Sequence, residues 1–399
     1  MVKQTSQKSM SWLTGLSIVH FSNDVMEMAI SPLLPLIINE FSLTYLMAAL
    51  ILVSFKTLPS FVQLVIALVS DASSKRKITI ILGLGWLSIG LWFVSISPNY
   101  TVLIVSVLIV GIGTTTYHSQ ATVYIAHYFS EVRGKGMGIH GIGGGLARIV
   151  TPIILGVFGL FFGWRVALRF ITIPGIICVV MLAIMLKEIG SSKRVRIRIR
   201  EAISRPAILL TTILSLRTLA FVSISSFLPT FFVVQMDTTI AVAGILTSIV
   251  FISNTLGQPF WGWISDRMGR RKVFIVTIFM QAIFIVFFVL LPYPLDLVGL
   301  LCLGFFAGAH IPVGLAFASE VAPSHLIATT ISIIFGISMG ISTAATAITG
   351  IIIDLHGFYV AFLLLPLFSS VVAGILSFNL PRKREKRLLK INHENQKEY

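Results

Sequence analysis

The sequence predicts an all-α membrane protein of twelve transmembrane helices, arranged as two pseudo-symmetric six-helix halves. Three observations carry that expectation. The 399 residues are 56% hydrophobic and only 11% charged, with a mean hydropathy of +0.95, which is more apolar side chain than one soluble core hides. Landmarks recur at a nearly constant offset: Asp266 follows Asp71 by 195 residues, Pro229 follows Pro35 by 194, and His310 follows His118 by 192. The basic residues are clustered rather than scattered, and the clusters fall between alternate pairs of apolar runs.

A helix that crosses a hydrocarbon core of about 30 Å needs roughly 20 apolar residues. Runs of that kind fall near residues 12–38, 45–69, 78–97, 101–127, 136–162, 164–187, 207–234, 241–265, 273–291, 296–320, 326–352 and 358–380, here numbered spans 1 to 12. Span 1 is too long for the apolar core of a signal peptide and lacks a small-x-small cleavage site, so it is expected to remain as a helix. Prolines interrupt several of the spans, among them Pro32, Pro35, Pro59, Pro152, Pro229, Pro259 and Pro312. Lipid tolerates such breaks only where neighbouring helices or a water-filled cavity satisfy the freed backbone groups. Span 5 adds Gly141 and Gly143 to Gly145, a density that suits close packing or a hinge, and span 11 spaces Gly336, Gly340 and Ala344 by four for close helix approach.

The formal charge of +15 at first suggests nucleic acid, but 25 of the 30 Lys and Arg residues lie in the termini and even-numbered loops. That is the positive-inside pattern, so the charge reports topology: both termini and the central linker are expected in the cytoplasm of a cell whose plasma membrane holds the chain, with the excess charge touching anionic headgroups. Nucleic acid is excluded as a partner on this ground. Four segments follow: a first half at 1–190, a basic linker at 191–206 in which Val195, Ile197 and Ile199 alternate with arginines, a second half at 207–381, and a polar tail at 382–399. Cys178 and Cys302 both fall inside spans, so no disulfide framework is expected.

Between spans 8 and 9, residues Gly262 to Lys272 read Gly-Trp-Ile-Ser-Asp-Arg-Met-Gly-Arg-Arg-Lys. A decayed copy lies between spans 2 and 3, where Asp71 and Lys75-Arg76-Lys77 persist while Ala67, Ala72 and Ser74 replace the first glycine, the arginine and the second glycine. With twelve spans as six plus six and a basic linker, the chain resembles the major facilitator superfamily over nearly all of residues 11–381. The motif's aspartate can pair with arginines or with a neighbouring helix end in one conformer only, which makes Asp71, Asp266, Arg267, Gly269 and Arg270 candidates for gating. A narrower resemblance lies in His20-x-x-Asn23-Asp24 before Pro32-Leu33-Leu34-Pro35, and in Tyr117-His118 after Gly111-x-Gly113. These are similar to the fosmidomycin-resistance branch, whose members export a small phosphonate antibiotic and related compounds. The chain departs from the branch at Ser119-Gln120, where Pro-Glu is usual. It also departs from proton-coupled members at Val107, where they carry arginine, and from the antiporter pattern of span 5 at Thr151 and Leu155.

Ionisable residues at bilayer depth cost about 2.5–3.5 kcal/mol each and so face a cavity or a partner. His20, Asn23, Asp24 and Glu27 are spaced to share one face of span 1. Lys56 lies in span 2, His118 in span 4, Arg148 in span 5, Arg217 in span 7 and His310 in span 10. The resemblance implies that spans 1, 4, 7 and 10 line a central cavity, and Asp24, His118, Arg217 and His310 fall one on each. Two roles fit Asp24 and Glu27: a proton site, or a buried ion pair with Lys56, Arg148 or Arg217 that fixes packing. Substrate contact is expected of His20, Asn23, His118, Arg148, Arg217 and His310. His140, His127 and His325 are read as interfacial, and Glu320 is given no role.

No His-Glu-x-x-His or Gly-x-x-x-x-Gly-Lys pattern occurs, and Gly336-Ile337-Ser338-Met339-Gly340 lies inside apolar span 11 rather than at a strand-to-helix turn, which removes the sequence support for an intramembrane hydrolase, for a metal site and for ATP as the energy source. A sensor on the same scaffold would carry an added soluble domain. What remains is a monomeric secondary transporter without cofactors, working by alternating access, with protons and a small-molecule substrate as its ligands. Embedded Lys56, Arg148 and Arg217 outnumber Asp24 and Glu27, which favours a small anionic or zwitterionic organic solute. Export is the expected direction; uptake of an organic acid or sugar uses the same residues.

Overall fold

A computed structural model describes residues 2–56, 62, 75–129, 133–189, 203–323 and 326–381. All the regular structure among them is helical. We label the helices α1 (Val2–Glu27), α2 (Ile30–Phe41), α3 (Tyr45–Lys56), α4 (Arg76–Val94), α5 (Tyr100–Gly111), α6 (Thr114–Tyr128), α7 (Arg133–Met185), α8 (Arg205–Val234), α9 (Ile240–Met268), α10 (Arg270–Leu290), α11 (Leu295–Ala307), α12 (His310–Val321), α13 (Ile327–Ala344) and α14 (Thr346–Ser377). Nine stretches among the described residues are long and apolar enough to cross a membrane. Two of these, Gly136–Met185 and Thr329–Ser377, run to 50 and 49 residues, about twice what one crossing needs. Each is broken at a glycine with positive φ, Gly163 at 76° and Gly357 at 80°. Both breaks coincide with the predicted boundaries between spans 5 and 6 and between spans 11 and 12.

The interruptions inside single spans have local causes. Pro32 has no N–H to offer the carbonyl of residue 28 and its ring crowds that carbonyl, and the helix breaks at Met28 and Ala29 to separate α1 from α2. α2 ends at Ser42, which takes a left-handed φ of 50°, while the Leu43 N–H returns to the Ile38 carbonyl at 3.0 Å. α5 begins with Asn99, whose side chain accepts the Val102 N–H at 3.0 Å as an N-cap. The outward faces are apolar: Leu82, Phe161, Ile177, Ile184, Leu355 and Phe368 stand more than half exposed. In water that surface would be an aggregation hazard, and in lipid it is the matched solvent.

The described chain resolves into two compact units. The first comprises Met1–Val195, Ser225–Phe251 and Thr343–Phe358; the second comprises Arg196–Ile224, Ile252–Ser342 and Tyr359–Tyr399. Parts of α8, α9, α13 and α14 thus pack with the first half of the sequence. In the second unit, Leu210, Ile213 and Leu214 of α8 pack with Val273, Phe274 and Ile278 of α10 and with Val313 and Phe317 of α12. The predicted basic linker at 191–206 lies largely outside the described residues, as do Asp71, His325 and the tail.

Candidate functional site

The spacing of His20, Asn23, Asp24 and Glu27 does place them on one face of α1, and that face meets α6 and α7. Asn23 is fully buried and Asp24 is 6% exposed. Asp24 divides its carboxylate between two imidazoles: Oδ2 lies 3.4 Å from His20 Nε2, and Oδ1 lies 3.5 Å from His118 Nε2. His118 Nε2 also faces Glu27 Oε2 at 3.3 Å, and Asn23 Nδ2 donates to Asp24 Oδ1 at 3.2 Å. The His20 tautomer follows from its other nitrogen. Nδ1 sits 2.8 Å from the backbone carbonyl of His140; a carbonyl only accepts, so Nδ1 carries a proton and donates it. In the neutral ring Nε2 is then an acceptor facing an acceptor oxygen of Asp24, and the contact is favourable only when a further proton sits between them. The ligand atoms of His20, Asp24 and His118 lie within 4.8 Å of one another, a span that a single bound cation also bridges.

α7 supplies the wall of this site. His140 is 5% exposed, and its ring stacks on His20 with centroids 4.2 Å apart and an interplanar angle of 15°. The interfacial reading of His140 is therefore corrected: the crossing of α1 over α7 carries it inward. Tyr117 anchors α6 to α1 by donating its hydroxyl to the Leu16 carbonyl at 2.6 Å. Arg148, one turn beyond Gly144 on α7, lies within electrostatic range of both Asp24 and His118. The close partners of Asp24 and Glu27 are the histidines.

Gly144 matters for space. A Cβ there would stand 2.7 Å from His20 Nε2 and 2.8 Å from Asp24 Oδ2, whereas one on Gly141 would meet nothing within 4 Å. Gly144→Ala is therefore expected to prise His20 from Asp24, costing about 1–3 kcal/mol of stability and most of the transport activity. Gly141→Ala on the same helix is expected to be silent. Thermal unfolding and transport of the two variants check the contrast.

The second unit holds the remaining candidates. Arg217 is 1% exposed; its Nη2 donates to the Phe306 carbonyl at 2.7 Å, and its guanidinium lies 5.3 Å from the centroid of Phe274. Its Nε and Nη1 have no hydrogen-bond partner among the described residues, nor has the Oε1 of Gln281, whose amide nitrogen donates to the Arg217 carbonyl. The Thr218 hydroxyl lies 3.0 Å from His310 Nε2, at the first residue of α12.

The loop between α9 and α10 turns at Gly269, where φ is 90°, a backbone that a side chain would strain. That turn brings Arg270 back onto Asp266 and Ser265, and Arg270 Nε also faces Glu320 Oε1 of α12 at 3.6 Å. Glu320, given no role from sequence, is thus a partner of the motif arginine; the offset of 50 residues between them offers no sequence signal. Arg267 lies 3.7 Å over the Trp263 ring. Because Asp266 and Arg270 tie the ends of α9 and α10 to each other, Asp266→Asn is expected to slow turnover while leaving substrate affinity nearly unchanged. Initial-rate kinetics separate the two, and a large loss of affinity would contradict a gating role.

A family model described as the Major Facilitator Superfamily matches residues 16–241 and 232–397. The chain is 23% identical over 398 residues to the fosmidomycin resistance protein of Escherichia coli (strain K12), a match covering 96% of this chain and 95% of that protein. Among solved structures, it superposes on a bacterial homolog of the human lysosomal transporter Spinster, inward-facing and occupied, with a TM-score of 0.78 at 16% identity, covering 92% of this chain and 95% of the other. A D-xylose-proton symporter gives a TM-score of 0.77 at 15% identity, covering 94% and 98%. The structural likenesses establish the fold, and the family match establishes the class. With its apolar spans, its broken helices and its buried ionisable cluster, this chain belongs to the Major Facilitator Superfamily and is a multi-pass membrane transporter rather than an enzyme.

Proposed function

We propose that the protein is a proton-coupled secondary transporter that exports a small anionic or zwitterionic organic solute. The observation that carries this reading is the shared carboxylate of Asp24, held between His20 and His118, where the His20 contact is favourable only when a further proton sits between the two groups. A group of that kind loads and unloads a proton without a large rearrangement, which is what coupling requires. Asp24 and Glu27 are assigned to proton coupling. His20, Asn23, His118 and Arg148 in the first unit, and Arg217 and His310 in the second, are assigned to substrate contact. Arg217 supports an anionic solute: a buried guanidinium whose Nε and Nη1 have no partner among the described residues is costly until an anion approaches it.

Asp71, Asp266, Arg267, Gly269 and Arg270 are assigned to gating, with residues 1–190 and 207–381 as the two bodies that rock during alternating access. The loop charges support a plasma-membrane protein with both termini in the cytoplasm, and it is taken to act as a monomer. The similarity to a protein named for fosmidomycin resistance supports export and a phosphonate-like solute. The test is transport of phosphonates, carboxylates and sugars into proteoliposomes under imposed pH gradients of either sign. Accumulation of an anion driven by protons moving in the opposite direction is expected. Accumulation in the same direction as the protons would make the protein an uptake system, and movement that ignores the gradient would remove the coupling.

A further inference from the structure

The first compact unit includes two segments from the second half of the sequence, Ser225–Phe251 and Thr343–Phe358. Several of its contacts with them fall where α3 and α9 begin. Ser31 Oγ donates to the Ser226 carbonyl at 2.8 Å. Gly156 lies so close to α9 that a Cβ on it would stand 2.6 Å from the Ile240 carbonyl, and Gly350 lies equally close to the Tyr45 carbonyl. One ionised group joins these contacts. The Asp354 carboxylate of α14 accepts the backbone N–H of Tyr45 on Oδ1 and that of Leu46 on Oδ2, each at 2.8 Å.

The donor count at the start of α3 closes on this contact. The first N–H groups of a helix have no partner within it. Here Tyr45 and Leu46 give theirs to Asp354, Met47 gives its own to Thr44 Oγ1 at 3.2 Å, and Ala48 makes the first intrahelical bond, to the Thr44 carbonyl at 3.0 Å. The cap of α3 is therefore split between a local threonine and a carboxylate 309 residues away from Tyr45. The positive end of the helix dipole adds to the attraction. The Tyr45 ring packs beside the contact, 5.0 Å from Phe358 and 6.4 Å from Phe227, edge-on to both.

We propose that Asp354 is a polar latch that holds this end of the transporter closed and releases α3 whenever the end opens. The proposal rests on the alternating-access reading, in which segments of the two sequence halves must part at each end in turn. The Asp354 carboxylate already meets water at this exposed position, and opening passes the two N–H groups to water as well, so the contact is exchanged rather than simply lost. Such a contact is strong enough to bias the closed state and weak enough to break in each cycle. The first loop, at which α3 begins, carries no basic residue, so the charge pattern puts the latch on the outer side of the membrane.

Hydrogen–deuterium exchange of the full chain in lipid nanodiscs, read without any solute, tests the latch separately from the transport assays. Asp354→Asn is expected to shift the closed-to-open ratio by about three- to thirtyfold. Exchange should therefore rise at Tyr45 and Leu46 and also at Ile240–Gly244, which Asp354 does not touch but which lies at the same closed end. Asp354→Glu, which keeps the charge, should fall between the variant and the parent. A rise confined to Tyr45–Met47 would make Asp354 a helix cap and nothing more, and overturn the latch. A general rise that reaches Val273–Ile278 in the second unit would make it a folding residue and overturn it equally.

Discussion

Asp24→Asn is expected to abolish proton-driven transport, by about a hundredfold or more, while leaving solute-for-solute exchange across the membrane close to that of the parent. The asparagine keeps the shape of the side chain and one acceptor oxygen, so the fit against α6 and α7 is preserved. What it removes is the negative charge that two imidazoles share, at 3.4 Å from His20 and 3.5 Å from His118. On the proposed reading, the cluster without that charge no longer gains by taking up a proton, and the solute is expected to cross uncoupled. Counterflow of labelled solute at equal pH reads the exchange, and uptake under an imposed pH gradient reads the coupling. If both collapse with the protein still folded, Asp24 is a substrate ligand. If the variant fails to fold, the carboxylate is a structural partner of the histidines.

Arg217→Met separates transport from stability in the opposite sense. Arg217 is 1% exposed and its charge has no carboxylate partner among the described residues. Replacing an uncompensated buried charge by an apolar side chain of similar length is neutral or stabilising in most settings. The methionine also fits the surroundings of Phe274 and Phe306, which the guanidinium now touches. We therefore expect unchanged or raised thermal stability with anion transport reduced by about tenfold or more. A protein keeps a costly charge only where function uses it, and loss of activity with gain of stability is the signature of that trade. A variant that is destabilised yet transports normally would make Arg217 a packing residue, held by the Phe306 carbonyl.

Much of this architecture was legible from local chemistry, and the limits have physical causes. The apolar runs gave the span ends, because a span has a fixed length; that two of the reversals fall on Gly163 and Gly357, in a backbone that glycine adopts easily, came from the structure. The α1 face was legible because four residues at helical spacing must share a side. What α1 packs against was not. His140 and Gly144 meet His20 through a helix crossing more than 100 residues away in sequence, and no single-chain periodicity encodes which residues of two helices touch. The same holds for Glu320 beside Arg270 and for Asp354 at the start of α3: each was an isolated acidic residue at a helix end until the fold supplied its partner. Arg217 was legible as an intramembrane charge, but its burial against Phe274 depends on packing within the second unit.

The central claim is that solute movement and proton movement are one process centred on Asp24. The most direct measurement is the internal pH of proteoliposomes loaded with dye, followed on adding a small organic anion with no imposed pH gradient. The account predicts a solute-dependent pH change in the parent protein, with the sign of exchange rather than co-transport, and none in Asp24→Asn even though the anion still exchanges. A pH change of equal size in both proteins would contradict it.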